Sequence, residues 1–112
     1  MNTIYHITKL NNWKAAVQKG TYDFCSLKRE GFIHCSKESQ YLRVANARFI
    51  NEELPLVVLI IDSTKILSKI IYENLEGGTE NFPHIYGPIN LDAIIKAVPF
   101  IKKNRSEFAP IS

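Results

Sequence analysis

The sequence is poor in several residue types, and each scarcity removes a class of protein. Cys25 and Cys35 are the two cysteines in 112 residues, too few for a disulfide framework. A chain of this length buries about two-thirds of its unfolded surface and folds without cross-links or a structural metal. Its longest uninterrupted apolar run, Leu56 to Ile61, is far short of the ~20 residues a membrane helix requires. The opening, Met1-Asn2-Thr3-Ile4-Tyr5-His6, has neither a basic stretch nor an apolar core, so no signal peptide is expected. The cysteines are accordingly expected to be reduced thiols of a cytoplasmic protein. Five glycines and five prolines mark no linker or low-complexity stretch, and one domain is expected over residues 1–100. Charge of one sign is also scarce. Residues 1–95 carry 10 Lys/Arg against 10 Asp/Glu, so the net +3 resides in Lys96, Lys102, Lys103 and Arg105 against Glu107. That balance, with aromatics not interleaved with basic residues, argues against a nucleic-acid partner.

What is present reads as a mixture of helix and strand. Residues 3–8 are β-branched and aromatic, as a strand prefers. Asn11 or Asn12 is expected to cap a helix carrying Trp13, Ala16 and Val17 up to Gly20. A short strand over 32–35 precedes Ser36, the expected cap of a second helix over 37–50 with Leu42, Ala45 and Phe49 on one face. Residues 56–61 are apolar on both faces, the pattern of a central strand. Further strands are expected over 70–74, 82–86 and 94–100, and residues 101–112 as a basic, loosely held tail. Helices early and strands late indicate an α+β domain rather than alternating βαβ units.

All three histidines fall in strand-like segments, each with a hydroxyl two positions on: His6 with Thr8, His34 with Ser36, His84 with Tyr86. Side chains two apart on a strand share a face. Imidazole beside hydroxyl is a donor/acceptor array suited to a ribose, phosphate or amide, so the three pairs are expected to line one pocket. Taken singly, a strand histidine is more often a hydrogen-bonded structural residue. The repeated arrangement is what favours a site.

Three ordered segments carry a resemblance. They are Ile4-Tyr5-His6-Ile7-Thr8, Glu30-Gly31-Phe32-Ile33-His34-Cys35-Ser36 after Ser26-Leu27, and Phe82-Pro83-His84-Ile85-Tyr86-Gly87-Pro88 before Leu91-Asp92-Ala93. From Ile4 to about Pro99 the chain resembles the domain-of-unknown-function 952 family of small bacterial proteins. That family is in turn distantly similar to the ADP-ribosyltransferase fold, including the RNA 2′-phosphotransferases. The resemblance implies a split antiparallel or mixed sheet with two helices in the first half. It implies NAD as cofactor, a small-molecule nucleotide as partner, His6 and Thr8 on a ribose, and Ser36 in the second His-x-Ser motif; Tyr86, paired with His84, is the remaining candidate for binding. His34, His84 and Glu73 are the candidate catalytic residues; Glu73, ahead of the Gly77-Gly78 loop, is by its sequence context the best-placed carboxylate for a developing oxocarbenium ion. Ile7 departs from the glycine usual in the first motif, and the third motif supplies His84 and Tyr86 where a glutamate is usual.

For a phosphate-transferring variant, Arg29, Arg43 and Arg48 are the candidate clamps. Two alternatives stand beside this reading. One is a module that binds a nucleotide without reacting it. The other is a zinc hydrolase built on the three histidines, which no His-x-His or His-Glu-x-x-His spacing supports.

Overall fold

A computed structural model describes residues 2–75 and 77–111. Three antiparallel sheets form an α+β domain. Strand β1 (Thr3–Lys9) runs into helix α1 (Leu10–Lys19), followed by β2 (Thr21–Tyr22), α2 (Ser26–Glu30), β3 (Ile33–His34) and α3 (Tyr41–Arg48). The second half holds β4 (Leu56–Asp62), β5 (Lys69–Glu73), β6 (Phe82–Tyr86), β7 (Ile89–Asn90) and β8 (Ile94–Phe100). The sheet orders are β1-β4-β8, β3-β6-β5 and the pair β2-β7.

As the double-sided apolar pattern predicts, β4 is the central strand of its sheet. Val57, Leu59 and Ile61 face one core with Ile4, Ile33, Cys35, Ile85 and Ile89. Leu56 and Val58 face a second core with Tyr5, Ile7, Tyr41, Ala45, Phe100 and Phe108. Period-2 alternation along β1 and β4 thus divides the interior into two layers on either side of one sheet. The two three-stranded sheets meet at a bridge where Tyr5 and Ser36 exchange both backbone hydrogen bonds, each 2.8 Å.

Several expectations need correction. There are three α-helices among the described residues, not two; α2 has only five residues, too few to show a helical period. Helix α1 starts at Leu10 with no side-chain cap, because β1 leads directly into it and the Leu10 N–H donates to the Pro55 carbonyl. Its buried edge is Leu10, Trp13 and Ala16, while Val17 is exposed. Gly20 ends it as expected, at φ +93°, donating to the Ala16 carbonyl. Ser36 does not cap α3, which begins five residues later; its backbone is taken by the bridge to Tyr5. Residues 101–111 pack back onto the second core rather than standing away from it. Phe108 is buried and stacked on Phe100 at 4.4 Å, its N–H donates to Asn46, and the Ile111 N–H donates to the Tyr41 hydroxyl.

Gly87 closes β6 at φ +153°, and a Cβ there would meet Ser68 Oγ at 2.4 Å and Ser68 Cβ at 2.9 Å. The Ser68 hydroxyl cannot withdraw freely, since it donates to the Pro88 carbonyl. Gly87→Ala is expected to cost about 1–3 kcal/mol through backbone strain and overpacking. Urea unfolding checks this, and an unchanged midpoint would show that the turn accommodates the methyl group.

Candidate functional site

Strand β3 pairs with β6 so that His34 stands directly opposite His84, and Ile33 opposite Ile85. Even-numbered residues here point away from the Ile33–Cys35 core. Their imidazole rings meet edge to face at 5.3 Å, and the Phe32 ring stacks on His84 at 4.3 Å. Each of these histidines is held by its own carboxylate. His34 Nε2 donates to Glu30 at 2.6 Å, across one turn between α2 and β3. His84 Nδ1 donates to Glu73 on the neighbouring strand at 2.8 Å, and the Tyr86 hydroxyl donates to the same carboxylate oxygen. Tyr86 and then His84 hold the Glu73 carboxyl below the usual range, so it is an anion; reciprocally, the Tyr86 phenol is pushed up. The hydrogen bond from His34 lowers Glu30 in the same way.

His6 has a different role. Its Nδ1 lies 2.6 Å from the His34 carbonyl, and its Nε2 lies 2.8 Å from the Tyr22 hydroxyl. That hydroxyl is 2.9 Å from Thr8 Oγ1, which also receives the Asn12 amide at 3.1 Å. Burial pushes the His6 imidazole down to about 4, so at neutral pH the ring carries one proton. A carbonyl only accepts; the proton is therefore on Nδ1, and Nε2 accepts from Tyr22. Thr8 then donates to Tyr22 and accepts from Asn12, giving one ordered chain from Asn12 to the His34 carbonyl. Burial raises the Tyr22 phenol well above its ordinary value, which keeps the chain neutral.

These residues border one cleft of about 650 Å³. His6, Thr8, His34, Ser36, Glu73 and His84 all line it, so the three histidines do share a pocket. Tyr86 lies outside the lining and acts on it through Glu73. The direct ribose contact implied for His6 and Thr8 is not what the geometry offers. Both His6 nitrogens and the Thr8 hydroxyl are used within the protein, and they make a floor rather than free ligand groups. Lys9, Lys19, Arg29 and Arg48 also border the cleft, against Asp23 and Glu73. Arg43 does not line it; its guanidinium is engaged on both Glu80 oxygens at 2.8 Å. Among the described residues no group of three His, Cys, Asp or Glu is arranged to hold a metal ion.

Tyr22, Asn12 and Glu30 are not among the site residues the sequence suggests; Asn12 reads there only as a helix cap. The four-residue spacing of Glu30 and His34 was a usable signal for one of them. Tyr22 and Asn12 gain their roles only from the return of the chain past β1. No helix among the described residues is long and apolar enough to cross a membrane.

The fold is similar to that of CC0527 from Caulobacter crescentus. The crystal structures of that protein and of a double-methionine variant each match with TM-score 0.83 and 24% identity, covering 96% of this chain and 93% of theirs. Its solution NMR structure matches with TM-score 0.75 and 27% identity, covering 89% of this chain and 85% of its own. No curated protein matches the chain. The family model described as protein of unknown function DUF952 matches residues 7–97, which takes in the end of β1 from Ile7, both carboxylate-held histidines and most of β8. The chain therefore belongs to the DUF952 family.

Proposed function

We propose that the cleft binds a nucleotide of the NAD or ADP-ribose type, and that it transfers or hydrolyses the ADP-ribosyl group. The observation that carries this reading is the joint lining of one cleft by two carboxylate-held imidazoles and by Lys19 and Arg29. Cationic side chains suit a pyrophosphate, and imidazole and hydroxyl groups suit ribose oxygens. Phe24 and Phe82 supply flat apolar walls for a base. Glu73, an anion on the cleft wall, would offset positive charge developing on a ribose ring. The cleft volume falls in the range of small-molecule sites, roughly 300–1,000 Å³.

Calorimetric titration with NAD and with ADP-ribose tests the binding, and release of free nicotinamide tests the chemistry. Saturable binding is expected, weakened at least ~10-fold in His34→Ala with unfolding temperature retained. Binding without nicotinamide release would favour a module that holds a nucleotide without reacting it. Absence of binding to either compound would overturn the proposal.

A further inference from the structure

Glu73 engages only one nitrogen of the His84 ring. Because Nδ1 donates to an anionic carboxylate, a ring with a single proton carries it there and presents a lone pair at Nε2. That nitrogen has no hydrogen-bond partner among the described residues. Yet no buried side-chain nitrogen or oxygen among them lacks a partner. Nε2 is therefore not sealed in the core, and the space His84 borders is the cleft. The ring itself is fixed: Phe32 stacks on one face, His34 meets it edge to face, and Glu73 is in turn fixed by Tyr86. His6 offers a useful contrast, since both of its nitrogens are satisfied inside the protein. A merely structural histidine is what His6 looks like. His84 keeps one end available.

We infer that Glu73 and His84 form a general base and that water is the attacking group, so that the cleft hydrolyses the glycosidic bond of its bound nucleotide. This rests on the nucleotide reading above and gives it a reaction and an acceptor. A nucleophile attacking through oxygen must lose a proton as its new bond forms. An imidazole held in one tautomer by a carboxylate accepts that proton without first breaking a bond of its own. With NAD, the water oxygen forms a bond to the anomeric carbon of the nicotinamide ribose while its proton passes to His84 Nε2. The bond from that carbon to the ring nitrogen breaks, and its electron pair leaves with nicotinamide, which departs neutral. His84 then releases the proton to solvent. NAD and water give ADP-ribose, nicotinamide and one proton. Glu73 holds the ring, offsets its charge when protonated, and faces the ribose as positive charge develops there.

The experiment measures NAD affinity by calorimetry, and nicotinamide and ADP-ribose by chromatography, for the intact protein, His84→Asn and Glu73→Gln across pH 5–9. Nicotinamide and ADP-ribose are expected in equal amounts. His84→Asn is expected to lower kcat by ~100-fold or more, with Kd changed less than about threefold and the acid limb of the kcat profile abolished. Should His84→Asn fail to fold, Glu73→Gln carries the comparison. Its carboxamide oxygen still accepts from His84, but it cannot offset the imidazolium, so kcat is expected to fall at least about tenfold with the acid limb displaced. Binding without ADP-ribose formation overturns the inference and leaves the nucleotide reading standing. So does hydrolysis with the intact protein's rate and pH profile in the variant that folds. Absence of NAD and ADP-ribose binding removes the reading itself and the inference with it.

Discussion

Replacing Phe108 with alanine is expected to destabilise the protein by about 3–5 kcal/mol, the range for truncating a buried phenylalanine. The ring is 2% exposed and lies nearly parallel to Phe100 at 4.4 Å. Phe100 in turn meets Tyr41 of α3, and Val58 of the central strand belongs to the same core. Removing the ring leaves a cavity beneath the whole second layer. Domains of this size have about 5–15 kcal/mol in total, so one substitution takes a large share. At ~4 °C or more per kcal/mol, the unfolding temperature should fall by more than about 10 °C. A fall below about 5 °C in scanning calorimetry would show that the C-terminal segment is an appendage after all. Ending the chain at Phe100 should be harsher, because it also removes the bonds to Asn46 and Tyr41.

A loss of stability on mild acidification is the second large effect, and it comes from His6. The folded imidazole is held down at about 4 against an ordinary 6.5, because the buried ring resists charge. With the folded value below the unfolded one, the stabilisation is complete above pH 6.5 and drains away as pH falls towards 4. By pH 4.5 the loss amounts to about 2–3 kcal/mol, at 1.36 kcal/mol per unit. The carboxylates are separable from this. Glu30, Glu73 and Glu80 are all held low in the fold, so their stabilisation is lost mainly below their ordinary 4.5. Urea unfolding at half-unit steps from pH 7 to 4.5 reads the slope. His6→Gln keeps an acceptor and a donor without titrating, and it should flatten the curve in that window. An equal slope in the variant would assign the effect to other groups.

How far the sequence could be read depended on whether a residue's partner lay on its own strand. Alternation placed His6 and Thr8 with Ile4, and separated His34 from Ile33 and Cys35, as the two cores require. The limits of β6 were also legible, because Asn81 and Gly87-Pro88 bound it. Cross-strand register was not. Nothing local says that His84 stands opposite His34 or that β5 brings Glu73 against it. The hydroxyl that completes the His6 chain comes from Tyr22, on a two-residue strand too short for any pattern to mark. Ser36 misled for a related reason. A serine ahead of an apolar period reads as a cap, whereas here its backbone joins two sheets.

That junction has a consequence for how a ligand is received. The reciprocal Tyr5–Ser36 pair and the bond from His6 to the His34 carbonyl tie the histidine-bearing sheet to β1 within three short backbone-linked contacts, of 2.8, 2.8 and 2.6 Å. None of the three involves a group that a ligand must displace. The spacing between the imidazole wall and the β1 floor is thus set by the fold itself. For the nucleotide proposed above, little of the interaction energy at that seam would go into ordering the protein, and rigid shape rather than closure would decide what fits.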